Sequence, residues 1–275
     1  MDLNGKRALI LGASRGIGLA IARLFNQYGL RLILPWFDWP ESATSLEKEF
    51  RPKENGHLIW QGDLRESEAV SELFGRIREE IGGLDILINN IERGGMPVVH
   101  GAYHKEINQN QWQLEMETTL YAKWLVFDQA LPLLKQNREA AVVNISSIAG
   151  IIGRSGPVGR LFNDGYAAAN RGVSLLTETW ARLGAPTVRV NEIMLGLIDS
   201  RHGSGTKGWN LLSAQEQEEI ISHILLQRTG KPEEVAQVVL FLVRDASYLT
   251  GSVLRMDGGY ILGGEIPPPM PEGVL

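Results

Sequence analysis

Short apolar runs alternate along the chain with longer segments in which apolar residues recur every three or four positions. The short runs are continuously apolar, which is typical of strands that helices cover on both faces. The spacing in the longer segments is typical of helices that bury one face. Strands are predicted at Arg7–Leu11, Arg31–Trp36, His57–Gln61, Leu84–Asn89, Ala140–Ile145, Val188–Ile193 and Ser252–Met256. Helices are predicted at Gly16–Tyr28, Ser67–Ile81, Gln111–Gln136, Gly165–Leu183 and Glu233–Val243.

This alternation predicts an α/β fold with a Rossmann-type doubly wound parallel sheet of about seven strands and helices on both faces. No linker and no internal repeat interrupts the alternation, so a single domain is predicted over residues 1–265. A proline-rich tail, Ile266–Leu275, is predicted to be an extended arm. Loops that follow strands are where ligands bind in such folds. The longest are predicted at Glu92–Asn110, at Ile151–Asp164 and at Leu197–Gln227, whose second half has a helical pattern.

Composition and charge narrow the possible classes of function. The 275 residues are 44% hydrophobic and 21% charged, which is ordinary for a globular protein. A formal net charge of -5 and the lack of a Lys/Arg-rich run argue against nucleic-acid binding. Without cysteine there is no disulfide framework and no thiolate metal site, and no metal is predicted. No window reaches the ~18 apolar residues of a membrane span and no signal peptide is evident, so we expect a cytoplasmic protein that does not bind membranes.

A glycine-rich turn separates the first predicted strand from the first predicted helix. It reads Gly12-Ala13-Ser14-Arg15-Gly16-Ile17-Gly18. Glycines let the backbone approach a pyrophosphate, and the helix amino terminus offers free N–H groups and a positive dipole. Such a string can also be only a tight turn, but its place after the first strand of an α/β chain favours dinucleotide binding. The residues predicted to contact the cofactor are Gly12, Ser14, Arg15, Gly16, Ile17 and Gly18.

The glycine spacing G-x-x-x-G-x-G resembles that of the short-chain dehydrogenase/reductase family, and further segments match that family in order along nearly the whole chain. They are Asp63, Asn89-Asn90, Asn144–Ser147, Val188–Asn191, Leu195–Ile198, Arg228–Ala236, Leu249–Gly251 and Asp257–Gly259. The last three resemble the carboxyl-terminal signature of 3-oxoacyl reductases and of sugar or polyol dehydrogenases alike. The resemblance implies an NAD(P)-dependent oxidoreductase that transfers hydride between nicotinamide and a small-molecule carbonyl or secondary alcohol. It also implies cofactor contacts from Asp63, Leu64, Asn90, Gly196 and Ile198.

The choice between the two nicotinamide cofactors depends on the end of the second strand. The acidic residue with which the family binds the adenosine ribose of NAD is replaced by Trp36. Asp38 lies ~20 residues past the glycine turn and either contacts the ribose or is a solvated helix-start residue. Arg15 either pairs with the 2′-phosphate of NADP or is a solvated loop arginine. Together these residues favour NADP(H) slightly over NAD(H).

The resemblance assigns the catalytic acid/base to Tyr166 and the residue that orients the substrate to Ser147. In the family, a lysine four residues after the tyrosine lowers its pKa, and an asparagine on the preceding helix holds a relay water. Asn170 stands at the lysine position and Thr119 at the asparagine position. Asn170 can bind a ribose hydroxyl but carries no charge. Lys123, one helical turn beyond Thr119, either replaces the missing charge or is a surface lysine.

Glu92 stands where the family has a glycine. Its side chain either faces outward or lies near the cofactor, where it would narrow the site, repel the phosphates or act as an alternative base. These departures leave a second hypothesis, a protein of this fold without dehydrogenase activity that binds a nucleotide or a partner subunit. A lyase or isomerase reaction is a third. The resemblance also implies a homodimer or homotetramer with the helices Gln111–Gln136 and Gly165–Leu183 at the interface.

Overall fold

The fold is built around a seven-stranded sheet with the strand order β3-β2-β1-β4-β5-β6-β7, in which neighbouring strands are parallel. The computed structural model describes residues 1–37, 40–92, 110–200, 209–263, 267–271 and 273. The strands are β1 (Arg7–Ile10), β2 (Arg31–Trp36), β3 (Leu58–Gln61), β4 (Ile86–Asn89), β5 (Ala140–Ser147), β6 (Val188–Leu195) and β7 (Val253–Met256). The predicted Rossmann-type sheet is confirmed, and the strand ends differ from those predicted by two residues or fewer.

The helices follow the strands in the predicted order. They are α1 (Gly16–Gln27), α2 (Pro40–Phe50), α3 (Pro52–Asn55), α4 (Ser67–Arg76), α5 (Gln111–Glu115), α6 (Ala122–Leu134), α7 (Ala149–Ile152), α8 (Asp164–Gly184), α9 (Ala214–His223) and α10 (Pro232–Arg244). A π-helical turn, Ile77–Ile81, extends α4, and a second, Met116–Tyr121, joins α5 to α6. None of the described helices combines the length and the apolarity that a bilayer crossing requires.

Short helices occupy stretches for which the sequence pattern predicted loops or no element. The sequence did not predict α2, because only Ala43, Leu46 and Phe50 of its residues are apolar and buried. The stretch predicted as the loop Ile151–Asp164 contains the end of α7 and a 3₁₀ turn at Pro157–Arg160. Most of the predicted loop Glu92–Asn110 lies outside the described residues, as do residues 201–208, 264–266, 272, 274 and 275.

Helices cover both faces of the sheet. Buried side chains of α1, α2 and α10 pack on one face, and those of α4, α6 and α8 pack on the other. Phe127 of α6 and Trp180 of α8 stack with their ring centroids 4.1 Å apart and their planes 7° from parallel. Because stacked rings of this size bury a large apolar area, they hold α6 and α8 side by side. The two helices that carry Lys123 and Tyr166 are therefore neighbours.

The sheet changes its winding direction at β1, which pairs with β2 on one side and with β4 on the other. At such a point the connections leave toward opposite faces, and a crevice opens beyond the carboxyl ends of the strands. The glycine-rich turn follows β1, and Asn90 follows β4. Both predicted cofactor segments therefore lie at the same crevice.

Candidate active site

The glycine-rich turn is packed tightly against the residue that follows β4. A Cβ on Gly18 would lie 2.1 Å from the carbonyl oxygen of Gly12 and 2.8 Å from Nδ2 of Asn90. Gly12 has a φ of +67°, in the left-handed region that favours glycine. α1 begins at Gly16, so the first N–H groups of that helix have no partner within the helix. A backbone that approaches this closely and ends in free N–H groups is suited to hold a pyrophosphate.

The rest of the predicted turn residues lie around this packed centre. Ser14 and Gly16 are partly buried, and Arg15 is exposed in extended conformation directly before α1. Ile17 lies in the first turn of α1 and lines the pocket that also contains Tyr166. The turn therefore extends from the packed glycines, which could hold a pyrophosphate, to the pocket that contains Tyr166.

The ends of β2 and β3 form the opposite wall of the crevice. Arg65 holds Asp63 through Nε at 2.9 Å from Oδ1 and through its backbone N–H at 3.0 Å. Burial opposes ionisation of Asp63, but the hydrogen bonds from Arg65 hold the pKa of this carboxyl below its usual value. The Arg65 guanidinium also lies 5.9 Å from the ring centroid of Phe37, the residue after Trp36. Leu64 is buried, and Asp38 lies outside the described residues.

The segment after β6 closes the crevice from the other side. The backbone N–H of Gly196 donates to the carbonyl of Met256 at 2.9 Å, and a Cβ on Gly196 would lie 2.7 Å from Cα of Asp257. Ile198 is buried and forms a parallel bridge with Gly230. One pocket brings together seven residues that the sequence singled out, namely Ile17, Asn90, Glu92, Ser147, Tyr166, Gly196 and Ile198.

Ser147 and Tyr166 reach this pocket from different elements. Ser147 is the last residue of β5, and its Oγ accepts a hydrogen bond from the backbone N–H of Ala149 at 3.2 Å. Tyr166 lies in the first turn of α8, where the Asn163 side chain accepts from the Tyr166 N–H at 2.7 Å. The Ser147 hydroxyl is therefore held by a turn, and the backbone of Tyr166 is held by a helix cap.

The phenol of Tyr166 is bonded to a carboxylate. Its Oη donates to Oε2 of Glu92 across 2.8 Å, although Tyr166 itself is only 2% exposed. The expectation that Glu92 faces outward from its loop is therefore wrong. The carboxylate lies in the pocket beside the predicted acid/base.

Asn170 and Thr119 are both fully buried. Asn170 Nδ2 donates to the backbone carbonyl of Tyr166 at 2.9 Å, one turn earlier on α8. Asn170 Oδ1 and Thr119 Oγ1 have no hydrogen-bond partner within the described part of the chain. Buried oxygens without a protein partner cost ~1–3 kcal/mol each unless water reaches them. The space at the family's lysine and asparagine positions is therefore polar but receives no charge from these two residues.

Lys123 brings a positive charge into the same region. It is 1% exposed, so the expectation of a surface lysine is wrong. Its Nζ donates to the backbone carbonyl of Ile145 at 2.7 Å, two residues before Ser147. Burial lowers the pKa of Lys123 to about 8, and the carboxylates of Glu92 and Glu192 oppose that effect. The side chain is therefore an ammonium at neutral pH.

Glu192 is a buried carboxyl that the sequence analysis did not single out. It lies in β6 with no exposed surface, and Oε1 accepts hydrogen bonds from Ser146 and, at 2.9 Å, from Ser174. Burial raises the pKa of Glu192, whereas these hydroxyls and Lys123 act in the opposite direction. The signal was present in the sequence, because a glutamate within an apolar strand covered on both faces is rarely buried without partners. Arg65 was missed in the same way, beside the singled-out Asp63.

Known proteins resemble this chain over nearly its whole length. A family model described as enoyl-(acyl carrier protein) reductase matches residues 12–261. The chain is 32% identical over 264 residues to the 3-oxoacyl-(acyl-carrier-protein) reductase FabG of Thermotoga maritima, covering 95% of this chain and 100% of that protein. It is 30% identical over 264 residues to glucose 1-dehydrogenase 2 of Bacillus subtilis, covering 95% and 96%.

Two solved structures resemble the whole molecule. Ligand-free aldohexose dehydrogenase from Thermoplasma acidophilum superposes with a TM-score of 0.74 at 26% identity, covering 98% of this chain and 99% of that one. A glucose/ribitol dehydrogenase from Brucella melitensis superposes with a TM-score of 0.79 at 25% identity, covering 94% and 98%. The similarity thus extends over the sheet and over the segments that surround the crevice.

Proposed function

The chain belongs to the short-chain dehydrogenase/reductase family, and we propose that it is an oxidoreductase that transfers hydride between a nicotinamide dinucleotide and a carbonyl or secondary alcohol. The observation that carries this proposal is the pocket in which Ser147 and Tyr166 lie beside the glycine-rich turn. A serine hydroxyl and a phenol at one end of a dinucleotide crevice are suited to bind and protonate a substrate oxygen.

The residues present fit a dinucleotide at its phosphate end. The close approach of Gly12 and Gly18 to Asn90 leaves no room for side chains, and the amino terminus of α1 is open to an anion. Asp63 and Leu64 would border the adenine, and Gly196 and Ile198 the nicotinamide. When bound, the cofactor would supply or accept the hydride. The protein would supply the binding site, the orientation of the substrate and the proton.

We further propose a preference for NADP(H). Trp36 ends β2 without the carboxylate that binds a free ribose hydroxyl, so nothing at that position repels a phosphate. Arg15 is exposed beside the glycine turn, and Arg65 lies near Phe37 on the opposite wall. A guanidinium pairs with phosphate oxygens in a planar, bidentate manner, which suits either arginine for the 2′-phosphate.

The substrate is proposed to be a small molecule whose oxygen binds between Ser147 and Tyr166. The relatives named as 3-oxoacyl reductase and glucose dehydrogenase differ in substrate, so they leave the choice between an acyl and a polyol chain open. The apolar cluster beyond the strand ends, which includes Phe162, Leu212 and Ile220, lies beside Tyr166. An apolar wall of this kind favours substrates with a hydrocarbon portion.

The protein is also proposed to form a homodimer or homotetramer. Tyr121 and Trp124 are exposed by nearly half and stack on each other, with ring centroids 5.9 Å apart. Leu175 and Leu183 of α8 are exposed on the adjacent helix. A surface with several exposed large apolar side chains is typical of a protein interface. Light scattering after size-exclusion chromatography would give the oligomeric state.

The first experiment is a titration of the protein with NADPH and with NADH, followed by quenching of the fluorescence of its seven tryptophans. We expect saturable binding of both, tighter for NADPH, and then turnover with members of a panel of ketones, 3-oxoacyl thioesters and polyols. Absence of binding at roughly millimolar concentration, well above common KM values, would contradict the proposal. Binding without turnover on the panel would instead favour a protein of this family that binds the nucleotide without dehydrogenase activity.

A further inference from the structure

The position on α8 one turn after Tyr166, where the family has a lysine, carries no positive charge. The side chain one turn later, Asn170, is neutral, and its amide donates to the Tyr166 backbone carbonyl rather than reaching into the pocket. A phenol has a pKa of ~10, so without a nearby cation it is a weak base at neutral pH. A neighbouring group that accepts the phenol proton would therefore assist a reaction in which Tyr166 takes up a proton from the substrate.

Glu92 is the group in contact with that proton. The distance from Tyr166 Oη to Glu92 Oε2 is 2.8 Å, within the range over which a proton passes directly between two oxygens. Ser147, Tyr166 and Glu92 line one pocket. A substrate oxygen bound by Ser147 and Tyr166 would therefore be linked to Glu92 through a single intervening hydroxyl.

Lys123 is a buried cation beside the same pocket, because the backbone carbonyl that its Nζ binds belongs to Ile145, which lines the pocket together with Glu92. Its only hydrogen bond among the described residues is to the Ile145 carbonyl. The charged groups that face it are Glu92, which follows β4, and Glu192, which lies in β6. From α8 the ionisable group nearest the pocket is Tyr166 itself, and from α5 Glu115 bonds Asn163 at the start of α8. The ammonium of Lys123 thus interacts electrostatically with two carboxylates, one of which accepts the hydrogen bond of the Tyr166 phenol.

We propose that Glu92 is the base that exchanges the phenol proton of Tyr166, and that Lys123 is a positioning residue whose ammonium keeps Glu92 in its carboxylate form. This inference rests on the proposed oxidoreductase function. In the family, a lysine at the position of Asn170 on α8 supplies the positive charge. Here Lys123 on α6 would supply it. The charge then acts on a carboxylate rather than on a phenolate.

The proton and electron changes balance in both directions. In alcohol oxidation, the substrate O–H bond breaks and its proton binds Tyr166 Oη, while the phenol proton moves to Oε2 of Glu92. The C–H bond would break with its electron pair, which a bound oxidised nicotinamide would accept as hydride, and the C–O bond would become a carbonyl. In carbonyl reduction, protonated Glu92 returns the proton through Tyr166 to the substrate oxygen. Tyr166 relays a proton and does not have to remain as a phenolate.

The test compares Glu92→Gln with the wild type in two measurements. The first is the pH dependence of kcat, in which we expect Glu92→Gln to lower kcat at neutral pH by ~10²–10⁴-fold, with recovery as the pH rises. The second is an ultraviolet titration of tyrosine in the cofactor-free protein, with the Tyr166→Phe spectrum subtracted. Removal of the neighbouring carboxylate should let Tyr166 ionise at a lower pH than in the wild type. An unchanged kcat profile together with an unchanged tyrosine titration would overturn the inference.

The role of Lys123 is tested with Lys123→Met, which keeps an unbranched apolar side chain one atom shorter and removes the charge. We expect the acid limb of the kcat profile to move to higher pH by about one unit, because Glu92 is then easier to protonate. Lys135→Met removes the same charge from an exposed position at the end of α6 and should leave the limb in place. Equal profiles for the two variants would contradict a role for Lys123.

A double variant distinguishes a chemical role of Glu92 from a structural one. Glu92→Gln combined with Asn170→Lys restores a cation on α8, and it should regain at least ~tenfold of the kcat lost in Glu92→Gln. No recovery in a folded double variant would mean that Glu92 does not act through the phenol. The proposed oxidoreductase function can be wrong independently of the inference about Glu92 and Tyr166. In that case the wild type turns over no substrate, while the tyrosine titration still reports whether Glu92 and Tyr166 are coupled.

Discussion

Asn170 Nδ2 lies 2.9 Å from the backbone carbonyl oxygen of Tyr166, so the side chain at the family's lysine position binds its own helix. Asn170→Lys would place an ammonium one turn from the phenol and favour loss of the phenol proton. We expect kcat for alcohol oxidation at neutral pH to rise by roughly tenfold, which corresponds to about one pKa unit. Asn170→Met loses the same hydrogen bond without adding charge. If both variants have the same kcat, charge at this position has no effect.

Tyr166→Phe removes only the hydroxyl that bonds Glu92. We expect kcat to fall by ~10²–10⁴-fold, the usual contribution of a positioned acid/base, while the Kd for the cofactor stays nearly unchanged. Steady-state kinetics and the fluorescence titration measure the two quantities. Tyr248→Phe alters a fully exposed tyrosine and serves as the control. Retention of most of the activity in Tyr166→Phe would remove the phenol from the mechanism.

The buried ammonium of Lys123 predicts a dependence of stability on pH. Its pKa is lowered from 10.5 to about 8 in the folded protein. Between these values the unfolded chain binds a proton that the folded protein does not, so the free energy of unfolding from this group rises with pH. The full change amounts to about 3 kcal/mol. It is complete near pH 10.5 and is lost again as the pH falls toward 8.

Urea unfolding at several pH values would measure this dependence. Other groups titrate in the same range, so the informative quantity is the difference between the wild type and Lys123→Met. We expect the slope of the unfolding free energy against pH between about 8 and 10.5 to be more positive in the wild type. Parallel curves would show that Lys123 has an ordinary affinity for its proton.

Gly18→Ala would place a Cβ 2.1 Å from the carbonyl oxygen of Gly12, so the turn cannot keep its shape. We expect a fall in Tm and a loss of cofactor binding of at least ~tenfold, because the backbone donors of the turn are displaced. Gly75→Ala is the matched control, since it also lies within a helix but its Cβ would meet no atom within 4 Å. That change should raise stability by up to ~1 kcal/mol through helix propensity. Equal changes in Tm and in cofactor affinity for the two variants would show that the close contact at Gly18 does not matter.

Arg15→Ala tests the proposed preference for NADP(H). A hydrogen bond to a charged group contributes ~1.5–3 kcal/mol, so its loss should weaken NADPH binding by roughly ten- to a hundredfold. The Kd for NADH, which has no 2′-phosphate, should change much less. As a control, Arg76→Ala removes a guanidinium at the end of α4 that is paired with Glu80 in the following π-helical turn. An equal loss of affinity for NADPH and NADH would mean that Arg15 contacts a part of the cofactor that both molecules share.

The sequence predicted the sheet well because its strands are buried on both faces and their apolar runs are unbroken, as in Arg31–Trp36. It also predicted that Ser147 and Tyr166 would lie in one pocket, since their flanking segments match a known family. The catalytic roles themselves stay predictions. α2 was not predicted because too few of its residues are apolar to produce a clear helical period.

The positions of Glu92 and Lys123 could not be derived from sequence spacing. Glu92 follows a strand, and the direction of a side chain in such a segment is set by the path of the backbone. Lys123 lies in α6, where apolar residues occur on nearly every side of the helix, so no single buried face could be identified. A lysine in that pattern is buried only because a carbonyl acceptor and carboxylates meet it inside the protein.

The number of residues in the π-helical turn at Met116–Tyr121 determines whether the charge of Lys123 is directed into the protein. A π-turn contains an extra residue compared with an α-turn, and each residue of an α-helix rotates the following side chains by ~100°. Deleting one residue there would turn Lys123 away from the sheet without changing any residue of the pocket. A change in the length of this turn would therefore add or remove a buried cation at the site without any substitution at the catalytic positions.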